Sequence, residues 1–152
     1  MVMMTGRRPS QIAALKFRDI YYDGGRYWIY FPRAKQRGLK WRGQFNKFAI
    51  AEDLWLVIQE QLEFVVKSYA ALIGCDISDE MTDDLPVFPA DLKAATFEEF
   101  YEKLDGDYFH IPVRKLRDKI EFVSRSLGVL SERTGHKMCL NSRRFRYTLG
   151  MV

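Results

Sequence analysis

Apolar positions recur at helical spacing in some stretches of the chain and at strand spacing in others. Leu54, Ile58, Leu62, Val65, Tyr69 and Leu72 fall three or four apart, the mark of a helix with one buried face. Asp53 is the expected cap of that helix and Gly74 its expected stop. Val113, Leu116, Ile120, Val123 and Leu127 repeat the pattern in a second helix that Gly128 ends. A shorter helix opens on the capping box Thr96-Phe97-Glu98-Glu99. Pro9 suits the first turn of another, carrying Ile12, Ala13, Leu15 and Lys16. The turn signal Asp23-Gly24-Gly25 precedes a β-rich run, Tyr27-Trp28-Ile29-Tyr30-Phe31, and Phe45 to Ile50 reads as the returning strand. Leu85-Pro86-Val87-Phe88-Pro89 is an extended piece within an expected loop. Met1 to Met4 read as the last turn of an earlier helix, and a final helix starts near Asn141-Ser142 and still runs at Val152. Both ends therefore read as cut. The expected fold is α+β and mainly helical, with a small antiparallel hairpin or sheet, in one domain over 1–152.

Composition narrows the class. With 152 residues and 47% hydrophobic content, the chain is long enough to bury roughly 70% of its unfolded surface. That apolar content excludes disorder. No apolar run approaches the roughly 20 residues that cross a bilayer, and no membrane partner is expected. Cys75 and Cys139 show no metal-ligand spacing, and His110 and His136 are the only histidines. Two free thiols in a reducing cytoplasm, and no metal, are the expectation.

Charge changes the picture. Residues 24–51 hold seven bases (Arg26, Arg33, Lys35, Arg37, Lys40, Arg42, Lys47) and no acid. Residues 76–107 hold eleven acids against Lys93 and Lys103, and residues 108–152 return to ten bases against three acids. Solvated faces account for most such runs. Seven cations without an anion nevertheless repel one another unless a polyanion screens them, and nucleic acid is the commonest one.

Three basic clusters carry candidate chemistry: Thr5-Gly6-Arg7-Arg8-Pro9-Ser10-Gln11, Pro32-Arg33-Ala34-Lys35-Gln36-Arg37-Gly38, and Asn141-Ser142-Arg143-Arg144-Phe145-Arg146-Tyr147-Thr148-Leu149-Gly150. Singly, each suits a solvent-facing turn, loop or helix. In order, they resemble the catalytic domain of the tyrosine recombinases, the phage-integrase family. The family's T-G-x-R-x-S-E-[IL] stretch is matched by Thr5, Gly6, Arg8, Ser10 and Ile12, and Ala13 to Ile20 continue in the same style, where the family often reads A-L-x-W-x-D-I. Its R-x-K hairpin context is matched by Arg33-Ala34-Lys35, and its H-x-[LF]-R-[HY]-T pattern by Phe145-Arg146-Tyr147-Thr148. Two departures stand out: Gln11 occupies the place of an acid, and Arg143 that of a histidine.

The resemblance implies site-specific DNA strand breakage and rejoining through a 3′-phosphotyrosine, with double-stranded DNA as partner and no cofactor. Arg8 and Arg146 would be the catalytic arginines, Lys35 the catalytic lysine, and Arg143 a further contact to the same phosphate. Arg7, Arg33, Arg37, Lys40, Arg42 and Arg144 would meet neighbouring phosphates. The family's nucleophilic tyrosine lies beyond the second arginine, and this chain stops six residues after Arg146. The fragment alone is therefore expected to be inactive and monomeric, the whole protein to assemble as an oligomer on DNA, and the source to be a bacterium, phage or mobile element. Two other readings stand beside it. One is a non-catalytic DNA-binding module; the other is a protein-interaction domain using the acidic region 76–107.

Overall fold

The computed structural model of the protein describes residue 1 and residues 5–32, 45–90 and 96–138. Its elements run α1 (Pro9–Ala13), a 3-10 turn (Phe17–Asp19), β1 (Ile20–Asp23), β2 (Arg26–Pro32), β3 (Phe45–Ile50), α2 (Glu52–Ile73), α3 (Asp79–Asp84), α4 (Phe97–Leu104) and α5 (Val113–Ser126). The three strands form one antiparallel sheet in the order β1-β2-β3, so the fold is α+β. Residues 2–4 of the expected N-terminal helical turn, the hairpin tip and the C-terminal helix lie outside the described residues.

Alternation along the strands divides the sheet into two faces. Ile20 pairs with Ile29, and Ile29 with Phe48; these residues and Phe31 turn towards the core, where Ile29 and Phe31 are fully buried. The opposite face carries Tyr21, Trp28, Tyr30 and Lys47. There the Tyr21 and Tyr30 rings stack with centroids 4.8 Å apart, and Lys47 Nζ sits 4.0 Å from the Trp28 ring centroid. Desolvation and the neighbouring Tyr30 push the Tyr21 phenol above its ordinary pKa. Strand β1 was not expected: four residues carry too short an alternation to stand out, and only pairing with β2 defines it.

Helix α2 buries Leu54, Ile58, Val65 and Tyr69, with Leu62 and Leu72 packed at the edge of the same core. Its N-cap is Ala51 rather than Asp53. Asp53 lies inside the first turn, where a carboxylate still meets the positive end of the helix dipole. Gly74 ends the helix in the left-handed conformation, φ +71°, which a Cβ would disfavour. Tyr69, Phe100 and Phe109 form an aromatic cluster with centroids 5.0–5.6 Å apart. Thr96 caps α4 as expected, its Oγ1 accepting the Glu99 N–H at 3.2 Å.

Three further expectations are corrected. Helix α1 ends at Ala13, so Leu15 and Lys16 leave it in extended backbone. Their partner is the 85–87 segment: Phe17 N–H donates to the Leu85 carbonyl at 3.1 Å, and Val87 N–H to Leu15 at 3.0 Å. Satisfying these backbone groups in each other draws Leu85 and Val87 into the core, both fully buried. Second, the expected acidic loop contains a helix, α3, whose Ser78 cap accepts the Met81 N–H at 3.3 Å. Third, α5 does not bury Val123 and Leu127, which are 56% and 57% exposed. Its inward stripe runs through Leu116, Ile120 and Ser124, four residues apart, and Val123 and Leu127 drift off that line.

Lys16 is the buried hub of this arrangement, with no solvent exposure. Its Nζ donates to Asp84 Oδ1 at 3.0 Å and to the carbonyls of Leu104 and Asp105 at 3.1 and 2.8 Å. All three ammonium protons are thereby used, and the acidic region is fastened to the core at the ends of α3 and α4. Arg18 adds a second contact to Asp84 Oδ1 at 2.8 Å. No described helix is long and apolar enough to cross a membrane. Cys75 is an exposed free thiol; Cys139 lies outside the described residues.

Candidate nucleic-acid interface

The turn before α1 is shaped by its first two residues. Thr5 Oγ1 accepts the Arg7 N–H at 3.4 Å and donates to the Met1 carbonyl at 3.0 Å. Gly6 sits at φ +61°, a left-handed conformation that glycine takes at little cost. The chain then rises into Arg8, extended at φ −69° and ψ 142°, and Pro9 starts the helix without needing an N–H partner. Thr-Gly-Arg-Arg-Pro thus projects two arginines from one tight turn.

The two arginines have different surroundings. Arg8 is exposed, as a residue meeting a diffusing polyanion must be. Arg7 is partly buried; its Cζ lies 5.4 Å from the Phe31 ring centroid and 5.2 Å from that of Phe48. A guanidinium over the faces of two rings is attracted by both quadrupoles. Arg7 therefore rests on β2 and β3 together.

Gln11 makes the connection that sequence reasoning missed. It is buried, 9% exposed, and its two polar atoms serve two backbones. Its Oε1 accepts the Arg8 N–H at 3.3 Å, and its Nε2 donates to the Pro32 carbonyl, the last of β2, at 3.0 Å. An ionised acid at this position could accept from Arg8 but not donate to Pro32. That is a physical reason for an amide in this chain. Gln11→Glu is expected to cost about 2 kcal/mol, because the Pro32 carbonyl loses its donor and meets a negative charge. Thermal unfolding at neutral pH checks this; an unchanged melting temperature would contradict it.

At the other end of α1, His110 Nδ1 lies 2.7 Å from the Ala13 carbonyl, and α5 packs against the same helix. Helix α1, which follows the turn bearing Arg7 and Arg8, is therefore tied to the sheet through Gln11 and to His110 at its far end, and is packed against α5. Arg7 and Arg8 are the members of the expected site that lie among the described residues. Arg33, Lys35, Arg37, Lys40 and Arg42 lie outside them, as do Arg143, Arg144 and Arg146. Lys35 follows Pro32 by three positions in the sequence, so the Gln11 bond ties the first basic cluster to the residue from which the second departs.

Compared with known proteins, the chain matches no family model. No curated protein matches it either.

Proposed function

We propose that this chain is a DNA-binding domain of the tyrosine-recombinase type, which grips phosphodiesters and takes part in strand breakage and rejoining. The reading is supported by Gln11, whose side chain joins the backbone of Arg8 to Pro32, the residue before Arg33. Two basic clusters separated in sequence thus share one root. In such a reaction a tyrosine hydroxyl oxygen displaces the 5′ oxygen at phosphorus, leaving a 3′-phosphotyrosyl link and a free 5′-hydroxyl. Charge on the non-bridging oxygens grows towards the transition state, which suits preorganised guanidinium groups. Arg8 and Arg146 take that role, with Arg143 as a further contact. Lys35 hands a proton to the leaving oxygen. Arg33, Arg37, Lys40, Arg42 and Arg144 hold the flanking phosphates. No metal or nucleotide cofactor is part of the scheme.

A second reading, a DNA-binding module without chemistry, is favoured by the same glutamine. Both of its polar atoms are engaged by backbone groups, where the family's acid would orient the first arginine. Binding of duplex DNA at increasing salt tests what the two readings share, and a covalent adduct on a nicked suicide duplex, sought with a longer chain that carries the family's downstream tyrosine, excludes the second.

A further inference from the structure

Arg7 is not part of the arginine pattern on which the recombinase resemblance rests, yet it is the more constrained of the two adjacent arginines. Its guanidinium lies against Phe31 and Phe48 at 5.4 and 5.2 Å, and those rings are themselves packed edge to face, 6.3 Å apart at 71°. Its Nε is buried and has no hydrogen-bond partner. No described carboxylate lies within ion-pair distance of it. A positive group has thus been partly stripped of water and given aromatic faces, which attract it but take few of its hydrogen bonds.

Two consequences follow for an anion. The side chain is ordered before any ligand arrives, so binding costs little conformational entropy. Part of its dehydration has also occurred on folding. The guanidinium fork matches two oxygens of a phosphate, a geometry that lysine cannot reproduce. Next to it in the chain, Arg8 is exposed.

We infer that Arg7 is a fixed phosphate contact, held ready on Phe31 and Phe48, for a group next to the one that Arg8 meets. Under the DNA reading, on which this inference rests for its source of phosphate, the ligand is a phosphodiester of the duplex backbone. Inorganic phosphate shares the chemistry and is the second source.

Arg7→Met separates charge from packing, because methionine keeps an apolar, polarizable contact with both rings. Duplex DNA binding is measured for the wild type and Arg7→Met across a salt series, with thermal unfolding of both. Inorganic phosphate is titrated into protein carrying 15N-labelled arginine side chains. The expected results are an unchanged melting temperature, duplex affinity lower by roughly tenfold, a salt slope shallower by about 0.9, and Arg7 resonances that move with phosphate in the wild type. Phosphate shifts without duplex binding would uphold the site and overturn the DNA reading. Duplex binding whose affinity and salt slope ignore Arg7→Met would overturn the site and leave the DNA reading intact.

Discussion

Lys16→Met lowers the melting temperature by about 6–12 °C. Three groups lose a donor in the variant: the Asp84 carboxylate and the carbonyls of Leu104 and Asp105. Removing one partner of a buried charge pair costs about 3–5 kcal/mol. Arg18 still reaches Asp84 Oδ1 at 2.8 Å, which holds the expected loss near the lower end. A domain of this size moves about 2–4 °C per kcal/mol. Arg18 itself is 42% exposed, so Arg18→Met is expected to cost under about 1 kcal/mol. Circular dichroism melting curves of both variants check the pair of expectations. Equal, small losses would contradict the placing of Lys16 as the hub.

The second large effect is on DNA. Six phosphate contacts give a slope of log affinity against log salt near −5, at about −0.9 per contact. Arg8→Ala and Arg146→Ala are each expected to remove one contact and roughly tenfold in affinity, about 1.4 kcal/mol. Together they remove roughly a hundredfold if the sites act independently. Truncating Arg8 leaves the fold intact, because its backbone N–H, not its side chain, bonds to Gln11. Fluorescence anisotropy with a labelled duplex checks both slope and affinity. Duplex affinity unaffected by either substitution would favour a protein-interaction domain using residues 76–107. One member of that region, Asp84, is already engaged internally by Lys16 and Arg18.

Much of the framework is legible in one dimension because it depends on local rules. The periodicity of 54–72, the glycine stop at Gly74, the Thr96 cap and the alternation of Tyr27–Phe31 each act within a few residues. The α+β class follows from them. What escaped depends on tertiary placement. Helix α3 has only Met81 as a buried residue, so no apolar stripe announces it, and its Ser78 cap is the one local sign. Lys16 looks like an ordinary helical lysine until α1 stops short and the 85–87 segment pairs beside it.

The candidate site divides in the same way. Thr5-Gly6 and Pro9 define the arginine turn locally, and its presentation of an exposed Arg8 is legible from them. The burial of Arg7 on Phe31 and Phe48 is not, because those rings arrive from strands more than twenty residues away in sequence. Gln11 reads as a departure from a motif. Only the position of the Pro32 carbonyl gives its amide a purpose.

A crystal structure grown with vanadate shows whether the first and third basic clusters serve one phosphate. One anion contacted by Arg8, Arg143 and Arg146 is the expected result, with Arg7 beside them on its two aromatic rings. Arg8 and Arg146 on separate faces, with no shared anion, would contradict it and return the basic clusters to ordinary surface charge.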